Sequence, residues 1–244
     1  MMPHQSIAPR PRAIERGLLN VNLTYMFDVL VRLLPALGLT IALSITALLI
    51  ATPIGLLLGS FRASSSSSGI IARLLDIYIF FVRGTPILVQ IFIVYFVLPA
   101  LGVKLALFWM GVLALVFNSV GYQIEIGRAA VQSVAKVQWE ASRALGFDDR
   151  STLFRFIMPQ AARRMVGPVM NELSQLIKAS SVLSIITLFE LHKSAESIIS
   201  ADFRFVEVLV VEGFLYFLFI YTLSFFAVRL ERRLSSSDGL VEQR

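Results

Sequence analysis

Apolar residues in this chain gather in long unbroken runs instead of recurring every third or fourth place, as they do on a helix that buries only one face. The run from Leu33 to Phe61 carries no charge, and the stretches between Arg83 and Lys104 and between Lys104 and Glu125 hold 20 uncharged residues each. A helix needs roughly 20 apolar residues to cross a bilayer, so three spans follow directly. A fourth, about 165–189, is interrupted by Glu172 and Lys178, and a fifth, about 208–228, contains Glu212. The pattern predicts an all-α integral membrane protein with five spans between residues 33 and 230, preceded by a segment 1–32 and followed by a tail 231–244.

Composition agrees, since 57% of the 244 residues are hydrophobic and only 16% are charged, which is the balance of a membrane chain. There is no cysteine, so neither disulfides nor thiolate metal sites are expected. The first long apolar run starts at Leu33 and is too long for the core of a signal peptide, so no cleavable signal is expected.

A net charge of +6 would suggest nucleic acid in a soluble chain, but its distribution has a better explanation and no nucleic-acid partner is expected. Basic residues concentrate after span one (Arg62, Arg73, Arg83), after span three (Arg128 to Arg164) and in the tail (Arg229, Arg232, Arg233, Arg244), whereas the other connectors are poor in them. The positive-inside rule then makes the first group and the C-terminus cytoplasmic and, with five spans, the N-terminus external. Arg10, Arg12, Arg16 and Arg32 oppose that orientation, but three connectors agree against them. Residues 18–31 read either as an amphipathic helix on the outer interface or as a tilted extension of span one.

Within this frame a few stretches carry chemistry. Residues 64–69, SSSSSG, form a flexible connector. In the following VRGTPILVQ, Gly84 and Pro86 suit a helix start, where proline lacks only a hydrogen bond that the first turn does not make. In the fourth span Asn171, Gln175 and Lys178 recur at steps of four and three, placing them on one stripe with Glu172 beside it. Ionisable residues inside a membrane are costly and usually face a bundle interior or an aqueous cavity; the stripe reads as a solute pathway or as polar contacts that hold the bundle. Glu125 reads best as the partner of Arg128, and His192 as a solvated loop residue. No nucleophile–base or metal-ligand constellation is present, so no catalytic residue and no metal site is expected.

The connector 136–164 is too polar for lipid. Good helix formers run through 138–145, Gly146 suits the left-handed residue that ends a helix, and Asp148 or Asp149 can cap a second short helix through Phe156, limited by Pro159. That second helix carries Leu153, Phe154, Ile157 and Met158 among Arg150 and Arg155, a pattern expected to plug into a groove of another protein.

Glu140-Ala141-Ser142, three residues, Gly146, nine residues, then Phe156-Ile157-Met158-Pro159 resembles the EAA loop of ABC importer permeases, written E-A-A-x3-G-x9-I-x-L-P. Ser142 replaces the second alanine, and Phe156 and Met158 replace the aliphatic residues before the proline. Flanking segments at 82–99, 124–134, 138–146 and 170–186 also resemble the polar amino acid subfamily. The resemblance implies a five-span type I importer permease whose loop docks on a separate ATPase through Glu140, Ala141, Gly146, Arg150, Leu153, Phe154, Ile157 and Pro159. It also implies a second permease chain, an extracytoplasmic solute-binding protein, an amino acid as cargo, passage lined by Asn171, Glu172 and Gln175, and a place in a bacterial inner membrane. The chain has no G-x-x-x-x-G-K-[ST], so ATP and magnesium belong to the partner and this chain binds no cofactor. The rival readings are a transporter driven by an ion gradient, with Glu172 or Glu125 as the ion site, and a membrane scaffold that transports nothing.

Overall fold

The computed structural model describes residues 22–63 and 69–235. Eight helices occupy the described residues. The first, α1 (Leu23–Ala63), runs 41 residues, about 60 Å at 1.5 Å per residue, twice the thickness of the apolar layer. It passes residue 33 without a break. Over Leu23–Val31 the continuous extension of span one is therefore what the chain forms, and a boundary at residue 32 divides a single helix. Residues 18–21, the serine connector 64–68 and the end of the tail lie outside the described residues.

The second apolar run forms α3 (Ile87–Ala100), which α2 (Ile70–Gly84) meets at 112°. Hydropathy located α3 but not α2, whose apolar residues are interleaved with Arg73 and Asp76. Pro86 has extended backbone and caps α3, as its place in the sequence predicts. The bend is fixed by Gln90, which is fully buried and donates to Val82 O at 2.9 Å and Thr85 Oγ1 at 3.0 Å, while accepting from Asn118 Nδ2 at 2.9 Å. One side chain thus satisfies the backbone that the turn leaves open and ties it to the next span.

That span, α4 (Leu107–Ser133), runs parallel to α1. Leu43 lies against Gly111 at one end and Gly59 against Gly127 and Arg128 at the other. A Cβ on Gly59 would stand 2.7 Å from the Arg128 nitrogen, and one on Gly127 would stand 2.9 Å from Gly55 O. The backbones approach as closely as small residues allow, which is how helices gain dispersion energy in a solvent as apolar as their side chains. Gly55 and Gly59 are four apart on α1, a close-packing signal already present in the sequence. Around this seam Leu43, Ile91, Leu115, Ile124, Leu176 and Leu183 form the main core.

After α5 (Lys136–Ala144) comes α6 (Asp149–Ile186), a single rod with a π turn over Leu153–Ile157 and a 3-10 turn over Ser180–Ile186. Pro159 does not limit it as expected. The π turn ending two residues earlier opens the ladder where proline offers no N–H, and Gln160 Nε2 donates to Phe156 O at 2.9 Å. The same pairing recurs in α3, where a π turn over Ile93–Val97 precedes Pro99.

The connector beyond α6 is also a helix, α7 (Leu191–Asp202), set at 51° to the rod. Glu190 caps it by accepting from His192 N at 3.0 Å and Lys193 N at 2.8 Å. His192 is not a solvated loop residue, because its Nδ1 lies 2.9 Å from Glu212 Oε1 on α8 (Phe205–Ser235). A second core of Val29, Leu33, Leu191, Ala195, Val208 and Val211 joins α1, α7 and α8.

Candidate functional site

Two places on the rod α6 carry the predicted site residues. The first is the turn between α5 and α6. Gly146 has φ 84 and stands as the left-handed residue after α5, where Gly146 N donates to Arg143 O at 2.9 Å and Phe147 N to Ser142 O at 3.2 Å. Asp148 caps α6 by accepting from Ser151 N at 3.3 Å, and its hydrogen bonds with Ser151 hold the carboxyl below the usual aspartate range. Arg143 Nε meets Asp149 Oδ1 at 2.9 Å across the turn. Helix, left-handed glycine and aspartate cap agree with the local rules that predicted them.

The departures from the EAA pattern are matched inside the fold. Ser142 Oγ and Thr152 Oγ1, both buried, lie 2.9 Å apart and pin α5 to α6. Phe156 packs edge-on against Phe147 at 5.0 Å, and Met158 Sδ accepts from Ser60 Oγ at 2.8 Å.

Exposure sorts the predicted docking residues into two groups. Glu140, Ala141, Gly146, Arg150, Arg155 and Pro159 lie at the surface, and Phe154 is 49% exposed. Leu153 and Ile157 do not present themselves to another protein: they are buried with Val131, Val134, Ala161 and Met165 in this chain's own third core. A π turn rotates successive residues by less than the α-helical 100°, so the apolar residues of 153–158 divide between an inner and an outer face. The outer face gains two residues that the sequence reading missed, Val137 at 61% and Leu145 at 76% exposure. The signal for Leu145 was a large aliphatic residue beside the motif glycine on a mostly polar connector.

The second place is a groove along α4 and α6. One part, about 750 Å³, is lined by Thr85, Asn118, Asn171, Glu172, Gln175 and Lys178 among others. An adjoining part of about 690 Å³ shares Tyr122, Asn171 and Glu172 and adds Arg83, Glu125, Arg128 and Arg164. Asn171, Gln175 and Lys178 are exposed to the groove side, as one stripe requires, while Glu172 is buried and accepts from Ser119 Oγ at 2.8 Å. No Glu172–Lys178 ion pair is present among the described residues, and the Ser119–Glu172 bond is one of the interhelical contacts that can hold the bundle. Glu125 takes both its oxygens to Arg128, at 3.2 and 2.9 Å, with Arg83 at 3.7 Å. The groove therefore offers carboxylates, amides and guanidinium groups on one wall. Arg83, Tyr122 and Asn118 were missed: the 112° bend places Arg83 at the groove, and the packing of α4 on α6 brings Tyr122 and Asn118 there.

Known proteins with this arrangement are membrane subunits of importers. Residues 51–236 match the family described as binding-protein-dependent transport system inner membrane component. The chain belongs to that family. It is 32% identical over 207 residues to the arginine transport system permease protein ArtQ of Bacillus subtilis (strain 168), covering 84% of this chain and 94% of the relative. Identity to the L-cystine transport system permease protein TcyB of the same organism is 39% over 160 residues, 65% of this chain and 68% of the relative. A solved amino acid ABC transporter with histidines superposes with a TM-score of 0.79 at 31% identity, over 88% of this chain and all of that one. The methionine ABC transporter MetNI, at 18% identity and a TM-score of 0.66, shares the fold. The chain is thus a multi-pass membrane permease with the type I ABC importer fold.

Proposed function

We propose that this chain carries polar amino acids inward as one of two permease subunits, driven by a separate ATPase and fed by an extracytoplasmic binding protein. The observation that carries the reading is the set of exposed apolar residues on α5, the turn and the start of α6, where Val137, Leu145 and Phe154 stand out among Arg143, Arg150 and Arg155. Apolar side chains on a charged connector beside a membrane stay soluble only when a partner covers them. The same rod that starts at this turn carries Asn171, Glu172 and Gln175 some 20 residues on. Movement of the docked turn therefore moves the groove wall as a rigid body. ATP and magnesium sit on the partner, whose closure draws two such turns together.

The groove is open on one side, and a second permease chain facing it would close a passage. Within it, the Glu172 carboxylate suits an α-ammonium group, and Asn171 and Gln175 suit the remaining polar atoms. The run of arginines in the connectors supports a cytoplasmic turn, an external N-terminus and a cytoplasmic C-terminus.

The test is co-purification from native membranes followed by uptake in vesicles. A P-loop ATPase should co-purify with the wild-type chain and be lost with Gly146→Val, whose β-branched side chain at φ 84 deforms the turn at about 1–2 kcal/mol. Uptake of a radiolabelled amino acid should require ATP and change its substrate preference in Glu172→Gln. Uptake driven by an ion gradient without ATP would overturn the reading, and so would a chain that purifies alone.

A further inference from the structure

Helix α2 has three faces, and only one of them is covered by protein. Ala72, Ile79 and Val82 are buried against the bundle, with Val82 seated on Gly121 and Tyr78 donating to Phe117 O at 2.6 Å. Arg73, Asp76 and Arg83 lie together on a second strip at helical spacing. Ile70, Ile71, Leu74, Ile77 and Phe81 form the third, all exposed. In a soluble protein such an apolar strip would call for a protein partner.

The orientation of α2 points to a different occupant. It turns 112° from α3, so when α3 follows the bilayer normal α2 lies within about 20° of the bilayer plane. An in-plane helix with one apolar and one polar strip is the form that rests between acyl chains and headgroups. Its charges are also unbalanced. Asp76 is neutralised by Arg62 through two contacts of 2.8 Å, and Arg83 leans on Glu125. Arg73, on the same strip, makes no ion pair among the described residues.

We propose that α2 is an interfacial helix seated in one leaflet of the bilayer, and that Arg73 holds the headgroup of an anionic phospholipid. Its buried face seats Val82 on Gly121 of α4 and its charged strip sets Arg83 beside Glu125, so the leaflet bears on the wall of the groove through α2. The proposal requires only that the chain is a membrane protein, and holds whichever solute is carried.

Quenching of tryptophan fluorescence by brominated lipids tests it on the full permease with its ATPase in vesicles. Trp109 and Trp139 are replaced by phenylalanine and a single reporter is placed on the exposed strip by Ile77→Trp. Lipid brominated near the headgroup should quench more than lipid brominated near the acyl terminus. Brominated phosphatidylglycerol should quench as though enriched about fivefold over phosphatidylcholine, the size expected for one basic residue at a charged surface. Arg73→Gln should reduce that enrichment towards onefold and leave the depth profile unchanged. Absence of quenching would mean that protein covers the strip, deeper quenching would mean that α2 spans, and equal quenching by both lipids would mean that no headgroup is selected; each overturns the proposal. A Leu74→Trp reporter on the same strip repeats the measurement if the Ile77 variant fails to assemble.

Discussion

At its start the rod α6 has Leu153 and Ile157 seated against α4, but its polar ties to the connector span only three to ten residues: Asp148 with Ser151, Arg143 with Asp149, Ser142 with Thr152. At its far end the ties cross the whole molecule. Thr40 Oγ1 lies 3.5 Å from Glu190 Oε2 and accepts from Leu191 N at 3.0 Å, Tyr216 OH reaches Glu190 at 3.4 Å, and Glu212 takes His192. Glu190 is completely buried, whereas Glu140 at the other end is exposed. One end presents exposed side chains that a partner can read and that can be changed without unfolding the rest. The other anchors the rod to α1 and α8, and its polar groups have only one another for solvent. A lever that transmits motion needs this asymmetry, a free end and a fixed one.

Both ends keep their positions through the seam between α1 and α4, and parting it should give the largest effect. Gly59→Leu places a branched side chain where even a Cβ would stand 2.7 Å from backbone, a clash that no rotamer relieves. The expected outcome is little or no monodisperse protein by size exclusion in detergent. Gly213→Leu, at a site with nothing within 4 Å, should behave as wild type.

The contrast between the ends is tested next by removing a glutamate from each. Glu190→Ala strips the cap of α7 and leaves the hydroxyls of Thr40 and Tyr216 without their carboxylate, a loss of about 2–4 kcal/mol that should lower the melting temperature of the purified protein. Glu140→Ala should leave melting unchanged and instead weaken ATP-dependent uptake. If Glu140→Ala melted lower and Glu190→Ala did not, the assignment of free and fixed ends would be reversed.

The same contrast explains what could be read from the chain alone. Apolar runs and local helix signals located the spans and the α5–Gly146–Asp148 turn, because hydropathy and capping act over a few neighbouring residues. The fixed end was invisible: nothing near His192 or Glu190 in the sequence announces Thr40 or Glu212, which arrive through packing. Leu153 and Ile157 were assigned to the wrong surface because an α-helical count does not foresee a π turn. In the groove, the stripe of Asn171 and Gln175 was legible from spacing, but Arg83 joins it only through the bend held by Gln90, and Asn118 only through the packing of α4 on α6. The glycine pair on α1 was legible in principle, since glycines four apart on an apolar helix are a recognised close-packing signal.

A smaller effect separates packing from motif at the free end. If Ser142 and Thr152 hold α5 on α6 through their hydroxyls, each alanine substitution should cost about 1 kcal/mol, and the double mutant little more than one of them. Additive losses by thermal or denaturant melting would mean that the two side chains contribute separately. Ser142→Ala also restores the usual alanine of the EAA pattern, so a gain in stability would show that the motif residue packs better here than the serine that replaced it.

The smallest effect is the pH response of the Asp148 cap. Because the hydrogen bonds from Ser151 hold this carboxyl below its usual range in the folded protein, the charged form is favoured by folding. Its contribution is complete above the ordinary aspartate pKa and is lost as pH falls through the lower folded value. Hydrogen exchange at the Ser151 amide, corrected for intrinsic pH dependence, should stay protected from neutral pH down through that ordinary value and open only in stronger acid. Asp148→Asn keeps an acceptor but has no carboxyl to titrate, so its protection should be flat over the same interval. Loss of protection at the ordinary aspartate pKa in the wild-type chain would mean that Ser151 donates too weakly to favour the charged cap. The start of α6 would then be held chiefly by Ser142 and Thr152.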